Sequence, residues 1–230
     1  EGLGNQFLGN IRECDAIIHV LRCFDNGNIV HVDGSVDPLR DKEIIDTELQ
    51  LKDLETVENR IKRVEKVAKV GGDKQAKLEY ELLVRYKEAL EQGQSARTVS
   101  FINDDEEQCA KQMFLLTTKP VLYVCNVDEA SAATGNEYVE RVRKAIEGED
   151  AELIVISAQT EADIAELETY EEKQMFLEDL GLKESGCNRL IKAIYSLLNL
   201  ETFITAGEME VKAWTYRKGW KAPQCAGVIH

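Results

Sequence analysis

The stretch Pro120-Val-Leu-Tyr-Val-Cys-Asn126-Val127-Asp128-Glu129 holds the side chains with most to offer a ligand. An apolar run stops abruptly at Asn-x-x-acid. The carboxamide of Asn126 can fix a loop through hydrogen bonds, and a carboxylate such as Glu129 can accept from the edge of a nucleotide base. If the run is a buried parallel strand, its carboxyl end opens on the crevice where α/β sheets hold their ligands. A strand that merely ends in a polar turn would read the same over these four residues. The histidines offer less: His19 lies in an apolar run as a core histidine would, and His31 lies in a glycine-containing loop with no partner visible in the sequence.

The elements that would carry this strand alternate as an α/β fold requires. Ala16–Leu21, Val121–Val124 and Leu153–Ile156 are short apolar runs bounded by polar residues, the pattern of parallel strands covered on both faces. Asp37-Pro38 supplies a cap and a first-turn proline for a helix through about Leu49. Further helices are expected over Tyr138–Ile146, Glu161–Leu180 and Asn188–Leu198. Between the first two strands Leu54, Val57, Ile61, Val64 and Ala68 repeat at spacings of three and four, Gly71-Gly72-Asp73 breaks the pattern, and Leu78, Leu82, Tyr86 and Ala89 resume it. That is an antiparallel helical hairpin over about Asp53–Gln92, with a seam one stripe wide. It suits a projecting docking arm or, on the plainer reading, a lid on the sheet.

The character changes at about Glu201. Glu210–Tyr216 alternates as a strand does, Gly219 marks a turn and Pro223 ends the run. Here Trp214, Tyr216 and Trp220 interleave with Lys212, Arg217 and Lys218, a mixture able to stack on bases and neutralise phosphate. Core packing is the favoured role for at least one of the tryptophans.

The composition, 43% hydrophobic and 31% charged over 230 residues, is that of a globular cytoplasmic protein with a substantial core. No run approaches the roughly 18 residues of a membrane span, and no signal peptide opens the chain. The six cysteines form no Cys-x-x-Cys pair, which points to reduced thiols and away from a metal site. A net charge of −15 argues against general adhesion to nucleic acid, and DNA is not an expected partner. Any RNA contact needs a local basic patch. Candidates are Arg60, Lys62, Arg63, Lys66 and Lys69 on the first hairpin helix, which would more commonly be a solvated face, and Lys212, Arg217, Lys218 and Lys221 near the end.

Across almost its full length the sequence resembles the YchF family, also called Obg-like ATPases, among the translation-factor-related P-loop nucleotidases. The resemblance rests on Glu1–Asp15, Ala16–Asp25, His31-Val-Asp-Gly-Ser-Val-Asp-Pro38, Lys119–Glu129 and Phe203–His230, in that order. It implies a P-loop nucleotidase-type α/β fold with a mostly parallel sheet, a helical coiled-coil insertion and the start of a β-grasp (TGS) domain. The implied parts are a nucleotide domain in residues 1–50 and 113–200, the arm in 51–112, and a TGS-like segment in 201–230.

Most GTPases read the base with Asn-Lys-x-Asp, so Val127 and Glu129 are departures that imply ATP, or both ATP and GTP, as ligand. The implied nucleotide contacts are Asn126, Val127 and Glu129, with Val127 packed on the ring, together with Ser157, Ala158 and Gln159, which resemble the Ser-Ala-x loop of related enzymes. No Gly-x-x-x-x-Gly-Lys-Ser/Thr occurs. The resemblance therefore implies an internal part of a longer protein, with the phosphate loop and the Mg2+ ligands elsewhere. It also implies slow ATP hydrolysis and a ribosome partner for the full-length form, and an inactive polypeptide for these residues alone. Two other readings stay open: a GTP-specific GTPase of the same fold, and a noncatalytic interaction scaffold.

Overall fold

The computed structural model describes residues 2–71 and 73–229, so Gly72 of the expected break and the terminal Glu1 and His230 lie outside the described residues. Contacts divide the chain into two compact units, Glu1–Ile17 with Asp37–Val121, and Ile18–Val36 with Leu122–His230.

The first unit is helical: α1 Gly2–Glu13, α2 Pro38–Val70, α3 Lys74–Glu91 and α4 Asp104–Lys111. Asp37 caps α2 as expected, accepting from Leu39 N at 3.2 Å. The expected end near Leu49 is wrong, because α2 runs unbroken for 33 residues. Residues 39–70 hold neither glycine nor proline, so nothing interrupts the helix between its first turn and the hairpin seam. It stops at Gly71, whose φ of 87° is the left-handed conformation that glycine adopts without a Cβ clash. Asp73 then caps α3, accepting from Gln75 N at 2.9 Å and Ala76 N at 3.1 Å.

At the base of this hairpin Val57, Leu82, Leu83, Tyr86 and Leu90 pack with Cys109, Met113 and Leu115. Helix α4 was not foreseen, although Asn103 followed by four acidic residues is a helix start. Two polar knots hold the base. Asp53, 0% exposed, accepts from Leu116 N (2.8 Å), Thr117 N (2.7 Å) and Thr117 Oγ1 (2.7 Å). Glu106 pairs with Arg85 and accepts from Ile102 N at 2.8 Å. Lys119 donates to the carbonyls of Arg12 (3.0 Å) and Cys14, placing a cation at the carboxyl end of α1.

The second unit holds most of a three-stranded sheet in the order β1 (Ile17–Arg22), β2 (Val121–Asn126), β3 (Glu152–Ile156). Strands β2 and β3 are parallel, with Tyr123 beside Leu153 and Asn126 beside Ile156. Helix α5 (Glu137–Ala145) connects them. Leu122, Val124, Ile154 and Ile156 pack on Ala193 of α8 (Gly186–Leu197). Only β2 is covered on both faces as expected. In β1 Ile18 is 42% and Val20 61% exposed, since β1 pairs on one side and no described element covers that face.

The single helix expected over Glu161–Leu180 is two, α6 (Ala158–Glu166) and α7 (Tyr170–Asp179). Thr169 and Glu172 form a capping box that starts the second, which propensity alone does not reveal. Helix α8 begins against Glu161, whose carboxylate accepts from Gly186 N (2.5 Å) and Cys187 N (3.0 Å). Gly186 is needed there, because a Cβ would lie 2.9 Å from both Glu161 Oε1 and Ile156 Cγ2. An antiparallel ribbon follows, β4 (Leu200–Ala206) with β5 (Val211–Arg217), and then the short α9 (Ala222–Ala226). Strand β4 escaped the sequence reading, which marked only a change of character at Glu201.

Candidate nucleotide-binding strand end

Strands β2 and β3 end level with each other, so the loops leaving Asn126 and Ile156 lie side by side. Asn126 ties them together: its Oδ1 accepts from Ala158 N at 2.9 Å, while Val127 N donates to Ile156 O at 2.9 Å. With the carbonyl oxygen fixed in this way, Asn126 Nδ2 has no partner among the described residues.

The other expected contacts differ in what they leave available. Val127 is only 3% exposed, so its side chain fills the protein beneath the loop and offers little surface to a ring. Asp128 caps a single 3-10 turn through Ser131 N at 3.0 Å, and Glu129 is exposed at the start of that turn. Ser157 is buried and caps α6, accepting from Thr160 N (3.3 Å) and Thr160 Oγ1 (2.9 Å). Ala158 N serves Asn126, and Thr160 N serves Ser157. Among the described residues, the backbone N–H of Gln159 is thus a first-turn donor of α6 without a protein acceptor. The Gln159 side chain turns along the helix to Asp163, at 3.0 Å. Asn126 and Val127 adjoin the Ser157–Gln159 loop, and Glu129 follows in the 3-10 turn; among the described residues Asn126 Nδ2, Gln159 N and the Glu129 carboxylate have no protein partner.

Beneath the loop, Cys23 and Cys125 are both 0% exposed. Their mutual hydrogen bond, with burial added, pushes the Cys23 thiol well up, so it stays protonated. Asn136 supports the neighbouring end of β1, donating to Cys23 O at 2.7 Å, and Tyr138 OH reaches Asp25 at 3.0 Å. The sequence reading missed both, although Asn-x-x before an amphipathic run is a cap signal. His19 is half-buried and stacks at a tilt on Tyr123, with ring centroids 5.6 Å apart, as a core histidine would. His31 does have a partner, contrary to expectation: its Nδ1 accepts from Asp33 N at 3.2 Å.

In the ribbon, Phe203 and Tyr216 share one face with rings 5.8 Å apart, and Lys212 lies over the Trp214 ring at 4.2 Å. Trp214 Nε1 donates to Thr205 at 2.9 Å, which gives that tryptophan a structural role, while Trp220 is more exposed.

Comparison with known proteins gives a consistent result. Residues 200–230 match the family model YchF-GTPase_C, described as a protein of unknown function (DUF933). The chain is 56% identical over its full length to "Ribosome-binding ATPase YchF" of Bacillus subtilis (strain 168), covering 63% of that protein. It is 48% identical to the protein of the same name from Escherichia coli O157:H7, covering 62% of it. The solved structure titled "Structure of the Schizosaccharomyces pombe YchF GTPase" superposes with a TM-score of 0.86 at 36% identity, over 98% of this chain and 61% of that one. The chain therefore spans a little under two thirds of the length of these relatives.

Proposed function

The chain belongs to the YchF family, and on that premise we propose that the intact protein binds ATP at the ends of β2 and β3, hydrolyses it slowly, and works on the ribosome in the cytoplasm. The observation that carries the nucleotide reading is the Asn126–Ala158 clamp, which fixes the Asn126 carboxamide at the carboxyl ends of two parallel strands, three residues before the exposed Glu129. In this reading Asn126 Nδ2, Gln159 N and Glu129 contact the base. Val127 supports the loop from below and touches a ring only along its edge. Residues 1–50 and 113–200 act as the nucleotide domain, 51–112 as a docking arm, and 201–230 as the TGS-like segment.

ATP is favoured because Glu129 stands where a guanine reader carries Asp and Val127 where it carries Lys. The names of the relatives include both ATPase and GTPase, so base choice is the property to measure. These residues do not fit a Mg2+ ion: Ser157 Oγ caps α6 and the Asp128 carboxylate caps the 3-10 turn. The phosphates are handled by groups outside these residues, and the 230-residue polypeptide alone is inactive.

Equilibrium binding of ATP and GTP to the intact protein tests the assignment. ATP binding equal to or tighter than GTP is expected. A hundredfold preference for GTP, about 2.7 kcal/mol, would overturn it. Measurable ATP turnover by residues 1–230 alone would refute the division of labour.

A further inference from the structure

Helices α6 and α8 begin next to each other, joined by Glu161, and their first turns are filled differently. In α8 each first-turn amide has an acceptor: Gly186 N (2.5 Å) and Cys187 N (3.0 Å) donate to the Glu161 carboxylate, Asn188 N to Ser185 Oγ (3.2 Å) and Arg189 N to Ser185 O (3.2 Å). In α6 Ala158 N is held by Asn126, Thr160 N by Ser157 Oγ and Glu161 N by Ser157 O (3.0 Å), and Gln159 N stays free among the described residues. Glu161, which closes α8, stands two positions after that free donor. The Cys187 thiol also hydrogen-bonds to the Glu161 carboxylate, and that bond, with burial added, pushes the thiol up. Three donors and the positive end of the α8 dipole therefore hold this one side chain.

Helix α8 is the fixed part of the arrangement. Leu190, Ala193 and Ile194 pack on Leu122, Val124, Ile154 and Ile156, and Arg189 donates to Val155 O at 2.7 Å. The approach is closest at Gly186, where a Cβ would meet Ile156 Cγ2 and Glu161 Oε1 at 2.9 Å each. Ile156 ends β3 and Ser157–Gln159 follow, so the loop is braced by Asn126 on one side and by α8 on the other. The bond from Ala158 N to Asn126 Oδ1 sets a distance but lets the first turn of α6 pivot about it. A second attachment at Glu161 removes that freedom.

We propose that Glu161 is a positioning residue for base binding: by tying the first turn of α6 to α8, it fixes the direction of the Gln159 N–H and of the loop that Asn126 holds. The proposal deepens the nucleotide reading above and rests on it. Glu161 touches no ligand in this scheme and acts through Gln159 N and Ala158 N. A donor already held in place adds affinity, because less freedom is lost when the ligand binds. The role is separable from fold stability, since Glu161 is half-buried and α8 keeps its apolar packing without it.

Calorimetric titration of the intact protein with ATP and with inorganic tripolyphosphate tests the proposal, because the ratio of the two affinities isolates what the nucleoside part adds. In Glu161→Ala the ATP affinity should fall about tenfold while tripolyphosphate stays within about twofold. Glu161→Gln keeps one acceptor oxygen and loses the charge at the start of α8, so its ratio should fall less. Gly186→Ala leaves every polar group in place and pushes on Glu161 and Ile156 from the α8 side, and it should lower the ratio in the same direction. Melting temperature and circular dichroism are read alongside. If Glu161→Ala does not fold, the ratios of the other two variants decide.

Equal losses of ATP and tripolyphosphate that track a lower melting temperature make Glu161 a brace of the fold only and overturn the proposal. So does a wild-type ratio in folded variants. Asn126→Asp separates the two levels of the argument. A ratio lost in Asn126→Asp but kept in the Glu161 and Gly186 variants overturns the positioning role alone. A ratio kept in Asn126→Asp as well overturns the nucleotide reading, and the positioning role with it.

Discussion

Asp53 in the first unit and Asn126 in the second each use one short side chain to hold the backbone of a segment far away in sequence. Asp53 is enclosed, and its two oxygens take three hydrogen bonds from Leu116 and Thr117. Asn126 is half-buried, and only its oxygen is engaged. The difference teaches how to tell a structural clamp from a site. A polar group whose capacity is filled by the protein serves the fold, and one held rigid with capacity left over is ready for a ligand.

Replacing Asp53 by Ala is the severest way to break this comparison. It strands two amides and a hydroxyl in a sealed core, and a loss of about 3–5 kcal/mol in denaturant unfolding is expected. A loss under about 1 kcal/mol would mean that water reaches the site and that the two clamps are alike. Burial pushes the Asp53 carboxyl upward against those hydrogen bonds, so it takes up a proton more readily folded than unfolded.

The other knot of the first unit behaves oppositely. Burial raises Glu106, but the hydrogen bond from Arg85, the amide of Ile102 and the Arg85 charge outweigh it, and the net shift is downward. Its contribution is thus present above the unfolded carboxylate value and lost as pH falls through the lower folded one. Glu106→Gln should cost about 1.5–3 kcal/mol at pH 7, and the gap to wild type should close in acid unfolding experiments.

Asn126→Asp sharpens the contrast from the other side. An Asp oxygen still accepts from Ala158 N, so stability should move by less than about 1 kcal/mol, while ATP affinity of the intact protein falls about tenfold or more because the free donors are gone. Loss of stability with unchanged affinity would make Asn126 a second structural clamp. The smallest effect is expected at Glu129→Asp, which retracts an exposed carboxylate by one methylene and should shift the ATP-to-GTP binding ratio severalfold toward GTP. Adding Val127→Lys forces a cation into a buried position, so a drop in melting temperature should accompany any further change in base choice.

The sequence made the strand end legible because β2 is apolar on both faces and stops at Asn-x-x-acid, and the hairpin seam legible because its spacing holds over several turns. It was silent on what fills each polar group. That Val127 points inward, that Ser157 is consumed as a helix cap and that Lys119 closes α1 are long-range facts that spacing does not encode. The junctions failed for local reasons: α2 passes Leu49 because no residue there stops a helix, and α6 and α7 separate at a capping box hidden in an acidic stretch. Strand β4 was missed because its pattern is weak until paired with β5.

The continuity of α2 has a mechanical consequence. A helix of 33 residues without glycine or proline after its first turn has no internal hinge, and it is about 50 Å long. It acts as a lever, in which a tilt of about 10° around the Asp37 cap sweeps the far end through about 9 Å. Conversely, a pull applied at that end is not absorbed along the way. It arrives as torque on the first turns of the rod and on the Asp53 knot that pins its middle.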